Sequence, residues 1–275
     1  MTKKLRMAGF LVALMVLLSS CSRLEFAYEY GDWFAARRVA SYLDLDRAQR
    51  HDFRSGLQAY RDFHRVERLP ELVSLLEDLE ALLADPAPGR DDVAASVYVG
   101  EAVLAGAVAD LIPLAATTLS GLSPAQIAHL EQQLADGRRA FAEDVAPDRG
   151  DRLQERVERW TGPLSDAQTE QLRACHARAP DVTSEWLDWR AEQDGQLVGL
   201  LREQSHPEPI AEFLHAWWLD ANARPEPLRQ ARARTREVWL DCAPALLASL
   251  SDEQRRSAHS SLSGYREDFL SLAAR

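Results

Sequence analysis

The chain has 275 residues, with 32 Lys and Arg against 43 Asp and Glu and a formal net charge of −11. An acidic chain without a basic run argues against nucleic acid as a partner, because phosphate binding needs clustered positive charge. Hydrophobic residues make up 46% of the chain, enough at this length to build one or two packed domains.

The N-terminus reads as a targeting segment. Lys3, Lys4 and Arg6 precede an apolar run from Met7 to Leu18, too short for a spanning helix with ordinary flanks. The run ends at Leu18-Ser19-Ser20-Cys21, which resembles the lipobox of bacterial lipoproteins. That resemblance implies a signal peptide over residues 1–20 and a covalent lipid, palmitate included, on Cys21 as the only attached group. Acyl chains hold a protein on a membrane at about 0.8 kcal/mol per buried methylene. Ser22 is not Asp, so the expected address is the periplasmic face of the outer membrane. The only Lys residues, Lys3 and Lys4, are lost with the signal.

Strand signals are nearly absent and period 3.6 recurs throughout. Residues 21–31 read as a lipidated tether and 32–275 as a helical domain, with a division into two subdomains near 162–180. Asp32 to Tyr42 is a short helix with Trp33, Phe34 and Val39 to bury. Asp46 opens a long segment that Pro70 should kink or split. Asp85-Pro86-Ala87-Pro88-Gly89 breaks the chain. Asp91 to about Leu119 is rich in Ala, Gly and Val, is interrupted at Pro113, and carries Glu101 and Asp110. It is expected to be a buried core helix rather than a membrane span. Further helices follow Ser123, Arg149, Ser165, Ser184, Ile210, Leu228 and Ser251, with Pro-containing turns between several of them. The expected fold is all-α: an irregular multi-helix bundle of antiparallel neighbours, some long and kinked at Pro.

One pattern recurs. Leu122-Ser123-Pro124-Ala125-Gln126, Leu164-Ser165-Asp166-Ala167-Gln168 and Leu250-Ser251-Asp252-Glu253-Gln254 are three copies, and Leu45-Asp46-Arg47-Ala48-Gln49 is a degenerate fourth. Ser or Asp at the N-cap with Gln three residues later makes a capping box, so each copy is expected to start a helix. The irregular spacing of the copies argues against a regular solenoid. The same residues are also candidates for partner binding.

Candidate sites are few. Arg61, His64, Arg65 and Arg68 recur at helical spacing as a basic face, either a solvated, acid-paired surface or one that holds anionic groups of a partner. Cys175 and Cys242 are a candidate disulfide in an oxidising periplasm, or two buried thiols on apolar faces. Cys175-His176 with a distant His is a weak zinc pattern. Seven His residues are dispersed, and no catalytic, metal or phosphate-loop motif appears. The expectation is therefore a protein that is not an enzyme and has no metal and no cofactor. Most of the seven Trp residues should be core, but adjacent Trp217 and Trp218 cannot both face inward.

Leu-Ser-x-x-Gln resembles the Leu-Thr-x-x-Gln signature of the helical periplasmic chaperones of the Spy and CpxP group, where it opens helices of a cradle for unfolded clients. Cys21-Ser22-Arg23-Leu24, Trp33, Tyr42-Leu43-Asp44-Leu45, Gln49, Leu69-Pro70 and the copies at Leu122 and Leu164 resemble an uncharacterised group of proteobacterial lipoproteins, a domain of unknown function. Together these imply a lipid-anchored envelope protein with a protein-binding role, as chaperone or scaffold. A cell-wall glycan enzyme and a structural subunit of an envelope complex are the alternatives. The expected partners are the membrane, through the lipid, and other envelope proteins.

Overall fold

In the computed structural model, which describes residues 23–145, 149–203 and 206–275, the described residues form ten α-helices. Among the described residues there are no strands. They are α1 (Arg23–Tyr42), α2 (Arg47–Ala84), α3 (Arg90–Ser120), α4 (Pro124–Ala140), α5 (Arg149–Thr161), α6 (Asp166–Arg178), α7 (Thr183–Glu203), α8 (Pro207–Leu219), α9 (Glu226–Ala248) and α10 (Asp252–Ala273). A π-helical turn, Phe141–Val145, extends α4. The stretch read as a signal segment, the lipobox-like residues and Cys21 lie outside the described residues.

The four repeated copies cap four helices, and they do so in pairs. Asp46, Ser123, Ser165 and Ser251 are the N-caps of α2, α4, α6 and α10, each with a complete capping box. In each box the Gln Oε1 accepts the N-cap backbone N–H at 2.9 Å. The Gln side chains then meet across the fold. Gln126 Nε2 donates to Gln49 Oε1 at 2.6 Å, and Gln49 Nε2 donates back to Gln126 Oε1 at 3.2 Å. Gln168 and Gln254 exchange the same two bonds at 2.9 Å each. The remaining amide hydrogens go to Asp44 O, Gly121 O, Pro163 O and Ser249 O. Each of those carbonyls immediately precedes the Leu of the partner copy. Every Gln therefore spends two acceptor sites and two donors, which is its full capacity. Two symmetric clasps result, one joining the starts of α2 and α4, the other the starts of α6 and α10.

Helix α2 is the spine. Tyr28 of α1 donates to Arg61 O at 3.2 Å, and Arg61 pairs with Asp32 at 3.2 Å, so α1 lies along the first half of α2. Helix α10 runs antiparallel along the second half: Glu80 accepts bonds from Ser263 and Arg266. Arg255 donates to the carbonyls of Leu83 and Leu247 at 2.7 Å and of Asp85 at 3.1 Å. One cation thus neutralises the negative ends of α2 and α9. Leu69 and Leu272 are completely buried. The main core gathers residues such as Phe53, Ile112, Leu130, Leu197, Ile210 and Leu214 from α2, α3, α4, α7 and α8. Asp194, 3% exposed, is held between Arg138 of α4 and Arg190 of α7.

The structure differs from the sequence reading at several points. Residues 23–31, read as a tether, are helical and form the first half of α1, which Tyr28 and Asp32 join to α2. Pro70 does not split α2, and Pro113 does not interrupt α3. Proline removes one intrahelical bond, and side-chain packing on both sides, with Leu69 fully buried, holds α2 together across that gap. Helices on either side of 162–180 pack together, α10 on α2 and α9 on α3. Helix α3 is not a buried core helix. It is long and apolar enough to cross a membrane by length and composition, yet only 11% of its apolar window is buried. Its small residues sit half-covered between α2, α8 and α9, and Tyr98 and Leu104 are 71% and 65% exposed.

Cys175 of α6 and Cys242 of α9 form a disulfide with Cα atoms 6.2 Å apart and a sequence separation of 67. Chain entropy assigns a loop of this size about 4 kcal/mol. Replacing both residues by Ser should lower the unfolding free energy by about 2–4 kcal/mol in urea titration. An unchanged midpoint would show that α6 and α9 hold together without the bridge.

Candidate functional site

The residues singled out in the sequence fall in three places. Gln126, Gln168 and Gln254 are buried, with their amides consumed in the clasps, so they do not form a partner-binding surface. Leu122 is buried in the main core, while Leu164 and Leu250 are half-buried. Ser123, Ser165 and Ser251 act as caps.

The basic face of α2 is turned inward rather than presented to a partner. His64 Nδ1 lies 3.2 Å from Tyr28 Oη, and the Arg65 guanidinium sits 5.9 Å over the Tyr28 ring. Arg68 forks Asp110 of α3 at 2.6 and 3.1 Å and also holds Glu71. Burial pushes the His64 imidazole below its ordinary pKa, and the neighbouring Arg68 adds to the shift. This face docks α1 and α3 onto α2. Cys175 lies in the disulfide, so it is not a zinc ligand beside His176. Among the described residues no group of three potential metal ligands converges.

Elsewhere, among the described residues, a groove of about 1060 Å³ is bounded by α3, α5, α6, α7 and α9. Its apolar lining includes Trp186 and Trp189 from α7, Trp239 from α9, and Val93 and Leu228. Trp189 is buried, while Trp186 and Trp239 are half-exposed. Trp186 is braced by Phe141 of the π-turn, with ring centroids 4.6 Å apart. Val97 stands exposed on α3 as part of the same lining.

Five arginines line the groove, Arg149, Arg156, Arg224, Arg232 and Arg236, against two carboxylates, Glu101 and Asp181. Arg232 and Arg236 both reach Glu101. Arg149 pairs with Asp181 at 2.9 Å. Burial alone would raise the Glu101 carboxyl, but hydrogen bonds and charge from Arg236 and Arg232 outweigh it and hold the group below its ordinary value. The Asp181 carboxyl is also lowered, chiefly by the Thr183 hydroxyl and backbone N–H. Arg224, half-buried, lies 5.8 Å over the Trp189 ring. Burial lowers its pKa and the nearby Arg232 lowers it further. Beyond Arg224 and Trp189 a second hollow of about 410 Å³ opens, lined by Trp217, Trp218 and Arg190. Trp217 is buried and Trp218 is 38% exposed, which is the split that adjacency on one helix requires. Arg190 stacks 4.8 Å over Trp217. Together the two hollows make an aromatic trough edged by arginine.

The sequence reading missed this trough. Trp186 and Trp189 lie three positions apart, a spacing that puts them on one face of one helix. Its meeting with Trp239 and the arginines of α5 and α9 is set by long-range packing.

Glu101 makes a test of the groove's electrostatics. Its folded pKa is lowered, so its ion pairs stabilise the fold above the ordinary value of 4.5 and lose that contribution as pH falls through the lowered pKa. In Glu101→Gln the loss of stability between pH 5 and 3 should be shallower than in the wild type, as read by urea midpoints across about that range. Parallel pH profiles would contradict the pairing.

Among known families, the model of a family of unknown function (DUF6279) matches residues 41–217. The match covers more than half of the chain, and the chain belongs to this family. The matched stretch contains the whole of the first clasp, Gln168 of the second, and the Trp186 and Trp189 side of the groove. No curated protein and no solved structure matches the chain.

Proposed function

We propose that this DUF6279 member is a lipid-anchored binding module on the periplasmic face of the outer membrane. In this reading it is a chaperone-like or scaffold protein that holds a segment of another envelope protein in the groove. The observation that carries the reading is the groove itself, with Trp186, Trp189 and Trp239 inside it and arginines around it. Trp and Arg dominate the energetics of protein interfaces because each presents a large, rigid contact area with a polar handle.

The alternative of a glycan-cleaving enzyme fares worse at this site. Such an enzyme needs a carboxylic acid with a raised pKa to protonate the leaving group. Glu101, the one Glu of the groove, is held ionised by two arginines. The Leu-Ser-x-x-Gln copies contribute to this function only by shaping the fold, because their Gln residues are buried.

The lipid anchor is proposed from the charged n-region, the apolar run and Cys21. The placement of α1 supports a membrane-proximal start to the domain. Tyr30, Trp33 and Phe34 are 53%, 41% and 57% exposed, and Arg37 lies 5.8 Å over the Trp33 ring. Aromatic rings with adjacent cations suit the headgroup level of a bilayer.

Two measurements test the proposal. Cys21→Ala should move the protein out of the membrane fraction, and an unchanged distribution would remove the anchor. A photo-crosslinking residue at Val97, beside the groove, should give adducts with envelope proteins in intact cells. The same residue at Arg202, exposed near the far end of α7 and paired with Glu131, should give none. Equal labelling at the two positions would overturn the groove as the binding site.

A further inference from the structure

We infer that the groove recognises a polypeptide segment combining apolar side chains with carboxylates, and that Arg224 is the residue that receives a carboxylate. The inference rests on the reading of the groove as a protein-binding site and names what it reads.

The argument starts from charge. In a chain of net charge −11, this concavity gathers five arginines and two carboxylates. Arg232 and Arg236 share the single carboxylate of Glu101, so their pairing leaves positive charge over. A cleft with low-dielectric walls focuses such an excess and attracts the opposite sign.

Arg224 sharpens the argument. It lies where the large groove meets the second hollow, and it contributes to the lining of both. Its guanidinium rests over Trp189, half-buried, and among the described residues no carboxylate stands within ion-pair distance of it. Asp220 acts on it only at longer range, while Arg232 repels it. A partly desolvated cation without an acid is electrostatically incomplete. The planar guanidinium is suited to bidentate capture of a carboxylate. On either side of Arg224 the walls are Trp, as the apolar part of the same ligand requires.

The trough runs over two hollows that share Trp189 and Arg224 in their linings rather than closing around one small cavity. A segment of chain can lie along it with a carboxylate at Arg224 and apolar side chains against Trp239 and Trp186 on one side and Trp218 on the other. An acidic, aromatic-rich segment of an envelope protein has this chemistry.

The test uses the full-length protein purified from membranes in detergent and a fluorescein-labelled peptide of Phe, Leu and Glu. A twin peptide carries Gln at every Glu. Fluorescence anisotropy should show the Glu peptide binding at least about tenfold more tightly than its twin, as expected for a charge-assisted pair. Its affinity should fall as salt is raised. Arg224→Ala should remove most of the difference between the two peptides, and Arg224→Lys should keep part of it. Arg232→Ala, at an exposed position, should narrow the difference as a second variant should Arg224→Ala fold poorly. Arg202→Ala, on the far end of α7, should change nothing. Equal binding of the two peptides would overturn the carboxylate inference and leave a groove that binds protein through its apolar lining. Binding of oleate with neither peptide bound would overturn both that inference and the protein-binding reading beneath it.

Discussion

Two side-chain amides facing each other form the interaction on which this fold depends. In each clasp a Gln accepts its own N-cap N–H, accepts and donates one bond with its partner Gln, and donates to the carbonyl ahead of the partner copy. An amide is suited to this task because it carries two donors and two acceptor sites in one plane. Glu lacks the donors, and an apolar residue of the same shape would leave a loop carbonyl and a helix N–H unsatisfied in the interior, at roughly 1–3 kcal/mol each. The clasp therefore does more than cap. It fixes two helix starts, far apart in sequence, against each other in one orientation.

The consequences reach the groove. The second clasp ties α6 to α10, and α10 is locked along α2 through Glu80 and through Arg255 on the carbonyl ends of α2 and α9. The disulfide ties α6 to α9. Both α6 and α9 line the groove, so its width follows from these covalent and polar links. The first clasp places α4, whose π-turn sets Phe141 against Trp186. On the opposite wall, the ion pairs of Glu101 hold α3 to α9. The arginine-edged trough is thus built by elements from both ends of the chain. This explains why the apolar helix α3 can be so exposed: Arg68 on Asp110 and the two arginines on Glu101 anchor it along one side, where apolar packing is thin.

Much of this architecture was legible in the sequence, and the limit falls at a definite place. Period 3.6, the Pro-containing turns and the N-cap signatures are local, so the all-α class and the helix starts at Ser123, Ser165 and Ser251 could be read directly. What the Gln residues do beyond their own helix could not, because each partner lies 77 or 86 positions away. The same limit explains the other differences. The place where the N-terminal aromatics dock depends on α2, whose Arg61 carbonyl and His64 meet Tyr28. The basic face of α2 looked like a surface until α1 and α3 were seen to cover it. Helix α3 looked buried because composition reports apolarity and not which side is covered. The trough is not legible in the sequence because its Trp and Arg residues come from separate helices.

The most direct test of the account is a double-mutant cycle on Gln168 and Gln254, with Gln168 and Gln126 as the control pair. Equilibrium unfolding in urea would give the four stabilities of each cycle. If the amides act as a pair, Gln168→Ala and Gln254→Ala will be non-additive by more than about 0.5 and up to about 3 kcal/mol, the range for groups in one hydrogen-bond network. Gln168→Ala and Gln126→Ala, in different clasps, will add to within about 0.5 kcal/mol. Additivity inside the clasp would mean that each Gln serves only as the cap of its own helix, and the claim that paired amides organise the fold would be wrong.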